Sequence, residues 1–359
     1  MTQTIDLPQI ERLNNGQPIL RKVPDHPWEN KVVFNPAVVL VDDVPTLERS
    51  VAALPVDART KNRLRSHEAL CFLYYRAQGS PTPIHDYRRS TLGLAVLTPA
   101  LEVLVRLGAP LIKPEYPYEN LGIEDPRITR IGDQFYLFYA AYASGMDHNR
   151  IRIALASSRD LVHWEKHGLL KGSLNSIDNK NGMLFPALIG GRYMVLHRPM
   201  EGPDALSIHV ATSDDLLGEW KSSGVVMKPI PNSEFKDVWI GGGAPPLSLP
   251  GDKWLLLYHI GNRKADGQRE YDLGLAIADP TSREFIVHRA EPLLRPTSGP
   301  ETQGDADLGV NNVVFVCGAY FYRGNLYFPY NGSDSVVLGA RIVKEELNRY
   351  LHAIAVDVR

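Results

Sequence analysis

Glu124 and Asp125 stand side by side and are followed by Pro126 and Arg127. Two adjacent carboxyls offer a choice of proton donor. The proline stiffens the backbone that carries them, and the arginine brings a counter-charge. This quartet ends the Pro- and Tyr-rich stretch 114–118 and precedes the aromatic run 135–139. An acid on a loop held by a rigid sheet is well mounted to protonate a leaving oxygen. Asp125 is therefore the candidate catalytic acid. Glu124 is its rival, or else holds a sugar hydroxyl or an arginine. A plainer reading stays open, in which Asp125 caps a turn or pairs with Arg127.

Other polar groups recur where apolar runs end, beside Gly or Pro. They are Asn35 before Pro36, Arg76 after Tyr75, Lys180 with Asn181, Arg198 after His197, His259, Tyr271 and Asp334. Lys180, Asn181 and Arg198 suit an oxyanion, because arginine presents a planar fork and lysine a point charge. His259 and Tyr271 would complete such a site. One acid among several cations fits a polyol substrate plus an anion. The alternative is that these groups bind hydroxyls only, or pair with Asp178 and Asp204. Met183, Phe185 and Trp239 read as pocket wall or core.

Convergence of residues so far apart needs a repeating frame, and the chain has one. Its unit is a turn, an aromatic-rich strand, a polar loop, a small-residue strand, then Ser/Asp and often Trp. Residues 133–139, 191–197, 252–259 and 324–328 open four such units, and 69–75 opens an earlier one. Five units at a spacing of roughly 55–70 residues predict an all-β fold, a five-bladed β-propeller. Helical periodicity is confined to residues 45–54 and to a C-terminal helix over 343–354. One catalytic domain spans 1–359, with the first ~25 residues as an extension.

Net charge is −2 with no long run of one sign, which argues against nucleic acid and membrane surfaces as partners. The two cysteines, Cys71 and Cys317, lie in apolar runs and read as buried thiols, with no zinc-type spacing. Residues 1–22 contain no basic stretch leading into an apolar core, and no run of about 18 apolar residues follows. A cytoplasmic protein without metal or organic cofactor is expected.

In its motifs the chain resembles glycoside hydrolase family 130, inverting β-mannoside phosphorylases and β-mannosidases on five-bladed propellers. The carrying segments are Phe34-Asn35-Pro36-Ala37, Gly122-Ile123-Glu124-Asp125-Pro126-Arg127-Ile128, Asn179-Lys180-Asn181-Gly182 and His197-Arg198-Pro199, followed by Ile240-Gly241-Gly242-Gly243 and Asn312-Val313-Val314-Phe315. The resemblance implies that Asp125 is the general acid, acting through a mannose hydroxyl. It implies that Asn35, Arg76 and Asp334 hold the mannose whose bond is cut. Lys180, Asn181, Arg198, His259 and Tyr271 fall where phosphorylases hold phosphate. Inversion needs acid and nucleophile on opposite faces of the sugar. The implied partners are a β-mannoside oligosaccharide and inorganic phosphate as co-substrate, and the resemblance also admits a homo-oligomer.

Two departures from the family pattern stand out. Trp239 occupies a position that is lysine in the phosphorylases, and residues 303–310 form a longer segment before Asn311. The family's hydrolases activate water with carboxylates. Glu234, Asp237 and Glu270 lie near the relevant positions without falling on them. Phosphorolysis is favoured over hydrolysis because the other anion positions keep suitable groups. A propeller that only binds glycans is the remaining alternative, and it would not need an acid at 125.

Overall fold

The structure is a computed structural model that describes residues 5–81, 89–202 and 204–354. Among these residues the strands form four hydrogen-bonded sheets, one of eight strands and three of five. The large sheet consists of two antiparallel meanders. The first runs through Val32–Val41, Leu70–Gln78, Ser90–Leu97 and Val103–Arg106, and the second through Gly122–Ile131, Gln134–Ala143, Arg150–Ser158 and Glu165–Leu169. A single parallel pair, Ser90 with Gly122, joins them. The third meander is Asn179–Leu184, Tyr193–Pro199, Ile208–Ser213 and Glu219–Met227. The fourth is Asp237–Gly242, Lys253–Arg263, Arg269–Ala278 and Ile286–Leu294. The fifth is Val314–Val316, Asn325–Gly332 and Val336–Ile342.

Each meander alternates apolar residues onto both faces, so neither face can be left in water. The apolar clusters lie between neighbours. Phe138, Ile153 and Leu155 of the second meet Leu184, Val195 and Trp220 of the third. Met183 and Leu196 of the third meet Ile240, Leu256 and Tyr258 of the fourth. Leu257 and Leu275 of the fourth meet Val316, Leu326 and Phe328 of the fifth. Val38, Leu73 and Tyr75 of the first meet Tyr320, Tyr327 and Val337 of the fifth. Cys71 and Cys317 are buried free thiols within these clusters.

The fifth meander takes its outer strand from the other end of the chain. Glu11 and Arg12 pair with Arg341 and Ala340. The Arg12 side chain grips Glu301 through Nε at 2.7 Å and Nη2 at 3.0 Å. Glu301 is fully buried and also accepts from the Tyr330 hydroxyl at 2.7 Å and from the amides of Thr297 and Ser298. Burial pushes this carboxyl up, but the hydrogen bonds from Arg12, Ser298 and Thr297 outweigh it and hold it at about 2, below its ordinary 4.5. A depressed acid contributes stability that is complete above its unfolded value and is lost as pH falls through its folded one. Thermal melts should therefore show a loss of stability between pH 4.5 and about 2 that Glu301→Gln removes. At neutral pH that substitution should cost about 3 kcal/mol, the scale for breaking a buried ion pair.

The helices are few. Val44–Ala53 begins at Asp43, whose side chain accepts from the Thr46 amide at 3.0 Å. Lys344–Ala353 buries Leu347, Tyr350 and Leu351 against the fifth meander. Both match the sequence expectation to within a residue or two at each end. A helix at Ala58–Arg65 was not foreseen. It buries only Leu64, so it leaves no apolar periodicity to read. No helix among the described residues is long and apolar enough to cross a membrane.

Candidate active site

The first strands of three meanders share a local device. Asn35, Asp125 and Asn181 each have a positive φ, of 45°, 49° and 59°. At each of them the register to the next strand breaks, between Phe34 and Ala37, Glu124 and Arg127, and Lys180 and Met183. A bulge of this kind bends the strand and re-aims one side chain. Asn and Asp tolerate the left-handed region better than other side chains. The acidic motif thus lies within the strand Gly122–Ile131, and not on a loop before the strand as its Pro-rich context suggested.

The re-aimed side chains meet in one cavity of about 110 Å³, lined by Asn35, Arg76, Asp125, Lys180, Asn181, Arg198, His259, Tyr271, Val313, Phe315 and Asp334. Every residue singled out above for sugar or anion binding lines it, apart from Glu124. Glu124 sits beside it in an ion pair with Arg76. Val313 and Phe315 are additional walls. The sequence marked their segment but not their part in the lining.

Asp125 is buried, and its Oδ1 accepts from Asn35 Nδ2 at 2.5 Å and faces Arg76 Nη1 at 3.4 Å. Asn331 continues this chain of amides, donating to Asn35 Oδ1 at 2.9 Å and to Asp334. Burial pushes Asp125 up, but Arg76, Lys180 and Arg127 with the Asn35 bond hold it below the usual carboxylate range. Asp334 goes the other way. Burial, with the charge of Asp125 adding, pushes it up to about 6 against the pull of Asn331 and Arg76. The two carboxyls of one cavity are thereby set apart in acidity.

Arg127 is the part of the acidic motif that sequence reasoning underrated. It does not pair with the Asp125 carboxylate. Its guanidinium is buried and donates to the carbonyls of Asp125 (2.9 Å), Gly243 (2.7 Å) and Gly242 (2.8 Å) and to Asn181 Oδ1 (3.3 Å). One side chain thus fixes the backbone of Asp125 and the side chain of Asn181 together, and among the described residues its guanidinium forms no ion pair.

The same cavity holds a set of donors with little to donate to. Arg198 gives Nη1 to His259 Nε2 at 3.1 Å, while its Nε has no partner. Asn181 Nδ2 and His259 Nδ1 are likewise buried and unpartnered. The Lys180 ammonium makes no hydrogen bond or ion pair among the described residues. Burial lowers Lys180 and brings Arg198 down to about 10. Burial, with Arg198, Arg127 and Lys180, keeps His259 neutral. Buried donors left unpaired are costly, and an anion would satisfy them. Asp178 and Asp204, the alternative partners, are engaged elsewhere, by Arg152 and Lys228. The backbone leaves no slack here. A Cβ on Gly241 would come within 2.4 Å of Asn181 Nδ2 and 2.5 Å of the His259 ring.

Trp239 packs edge-on against Tyr271 and lies under Arg263, so it buttresses the tyrosine. The three carboxylates considered as bases stand outside the cavity. Glu234 is exposed, Asp237 is exposed and faces Arg263 at 3.7 Å, and Glu270 projects from the strand face opposite Tyr271. A larger crevice of about 750 Å³ lies elsewhere, lined by Tyr136, Ser157, His163, Trp164, Tyr193 and others. Its Asp160 and His163 satisfy each other at 2.8 Å, and its one buried unpaired donor among the described residues is the uncharged Trp164 Nε1, in contrast to the arginine of the smaller cavity. One group among the described residues brings three potential metal ligands together, His148, Asp178 and Glu201. Two of the three are exposed, and Asp178 is held by Arg152.

A family model described as beta-1,4-mannooligosaccharide phosphorylase matches residues 7–352. A 1,2-beta-oligomannan phosphorylase of Thermoanaerobacter sp. (strain X514) is 32% identical over 333 residues, covering 92% of this chain and 95% of its own. The solved beta-1,2-mannobiose phosphorylase from Listeria innocua, in complex with beta-1,2-mannobiose, superposes with a TM-score of 0.74 at 20% identity, over 96% of this chain and 99% of that one. A second solved structure, from work reporting that the GH130 family of mannoside phosphorylases contains glycoside hydrolases that target beta-1,2 mannosidic linkages in Candida mannan, gives a TM-score of 0.74 at 22% identity, covering 95% of each chain.

Proposed function

Because the chain belongs to glycoside hydrolase family 130, we propose that it cleaves β-mannosides with inorganic phosphate and inversion, releasing α-mannose 1-phosphate. The observation that carries phosphate over water is the pair of buried, unpaired donors, Arg198 Nε and Asn181 Nδ2, in one cavity with Lys180, which makes no hydrogen bond or ion pair among the described residues. A hydrolase needs a carboxylate on that side to activate water, and Glu234, Asp237 and Glu270 are all outside the cavity.

In this reading the mannose ring sits between Asn35, Arg76 and Asp334 on one side and the cation cluster on the other. A phosphate oxygen attacks the anomeric carbon, and the bond from that carbon to the bridging oxygen breaks. The proton of Asp125, passed through a mannose hydroxyl, ends on the departing sugar. Lys180 helps keep Asp125 ionised. A phosphate dianion seated on Lys180 offsets that charge and raises the acid toward its protonated form. Binding the nucleophile thus loads the acid. The same path in reverse would transfer mannose from its 1-phosphate to an acceptor sugar.

The relatives' names favour a β-1,2 linkage, and the family description a β-1,4 one. Incubation with β-1,2- and β-1,4-mannobiose, with and without phosphate, tests the proposal. Mannose 1-phosphate should form only with phosphate, and at least tenfold faster from the β-1,2 isomer. Release of free mannose at the same rate without phosphate would overturn phosphorolysis.

The architecture that fits is a five-bladed propeller with one catalytic domain. It is supported by the five meanders and by apolar clusters that link each to the next and the fifth to the first. A cytoplasmic location suits the two buried free thiols.

A further inference from the structure

The three strands that bring His259 and Tyr271 to the central cavity wall a second cavity behind them. Side chains alternate along a strand, and directly opposed residues of an antiparallel pair share a face. Tyr271 opposes Gly261, whereas Asp272 opposes Ile260, Glu270 opposes Asn262, and Val238 pairs with Asn262 on the neighbouring strand. Asp272, Asn262, Ile260 and Val238 therefore point away from the first cavity. Together with residues 230–233, Phe235, the Glu291–Pro292 pair and Arg295 they line a space of about 400 Å³.

Asp272 is 4% exposed. Its Oδ2 accepts from Asn262 Nδ2 at 3.1 Å, and its Oδ1 receives no donor, the neighbouring Glu270 carboxyl being another acceptor. A buried carboxyl oxygen left unpaired is costly and does nothing for packing. Burial, with Glu270 adding to it, pushes Asp272 up to about 7, so near neutrality the carboxyl both donates and accepts. Asn232, Ser233 and Arg295 add further donors and acceptors, and Phe235 supplies a ring face. Acceptors and donors of mixed charge around one aromatic ring match the alternating hydroxyls and C–H faces of a sugar. An anion would be opposed by Asp272 and Glu270, and a cation by Arg295. The volume is within the range of small-molecule sites.

We propose that this cavity is a second glycan site, binding a neutral mono- or disaccharide through Asp272 and Asn262, back to back with the reaction centre. The choice of a mannosyl sugar as ligand rests on the function proposed above. The test is calorimetric titration of the whole protein with β-1,2-mannobiose in phosphate-free buffer, where no turnover occurs, together with a crystal soaked in the same sugar. Wild type should show two sites, with density in both cavities. Asp272→Leu and Asn262→Leu should each weaken one site at least tenfold and leave the other unchanged. If either variant fails to fold, the other and the soaked wild-type crystal give the same reading. A single site in the central cavity, or a second site indifferent to both substitutions, would overturn the proposal. Absence of sugar from both cavities would instead count against the mannoside function itself.

Discussion

Asp125→Asn should lower kcat for mannobiose phosphorolysis by about a thousandfold, within the range that a positioned acid contributes, while the Kd for mannobiose shifts by less than about threefold. The substitution is chosen to leave the frame intact. Asparagine adopts the left-handed backbone that position 125 requires at φ 49°. Its amide oxygen still accepts from Asn35, and the carbonyl of residue 125 still receives Arg127. What is lost is the ionisable proton, together with the carboxylate charge that faces Arg76. Rates of mannose 1-phosphate release together with calorimetric affinity for the sugar check both halves. Undiminished turnover would move the acid elsewhere.

Arg198→Ala should raise the KM for phosphate about a hundredfold, since a hydrogen bond to a charged group contributes about 1.5–3 kcal/mol and a buried phosphate would lose more than one. The KM for mannobiose should move by less than about threefold. The asymmetry follows from the layout. Arg198 touches His259 and Met200, on the anion side. Against its burial, the charges that hold Asp125 below the usual carboxylate range are instead those of Arg76, Lys180 and Arg127. At saturating phosphate, kcat should therefore survive within about tenfold. Initial rates over a grid of both substrates measure the two constants. Equal rises in both would mean that Arg198 shapes the cavity as a whole and not the phosphate seat.

The two cases explain what the sequence revealed. The second strands, such as Tyr193–Pro199 and Lys253–Arg263, are continuous apolar and aromatic runs, and their repeat is visible by eye. The polar residues at their ends, Arg76, Arg198 and His259, were found for that reason. The first strands did not read as strands, because a bulge at Asn35, Asp125 or Asn181 breaks the alternation that identifies one, and only those polar residues stood out, beside Gly or Pro. That same break is what turns those side chains inward, so local irregularity and function coincide. Arg127 was visible as a residue, but its reach to Gly242, Gly243 and Asn181 spans more than fifty positions and has no local signature. Glu270 illustrates the opposite error. Its neighbour in sequence faces the cavity, and it does not, because a strand turns over at every step.

The Arg12–Glu301 clamp also bears on how the molecule is made. Residues 11 and 12 leave the ribosome some three hundred positions before the strand they complete, Val336–Ile342. During synthesis the earlier meanders can form their internal pairings as they emerge, but the seam between Val38, Leu73 and Val337 cannot close until translation is nearly over. Until then the apolar faces of the first and the fourth meanders that the fifth covers are both open to water, and chaperone protection would be most needed in that interval.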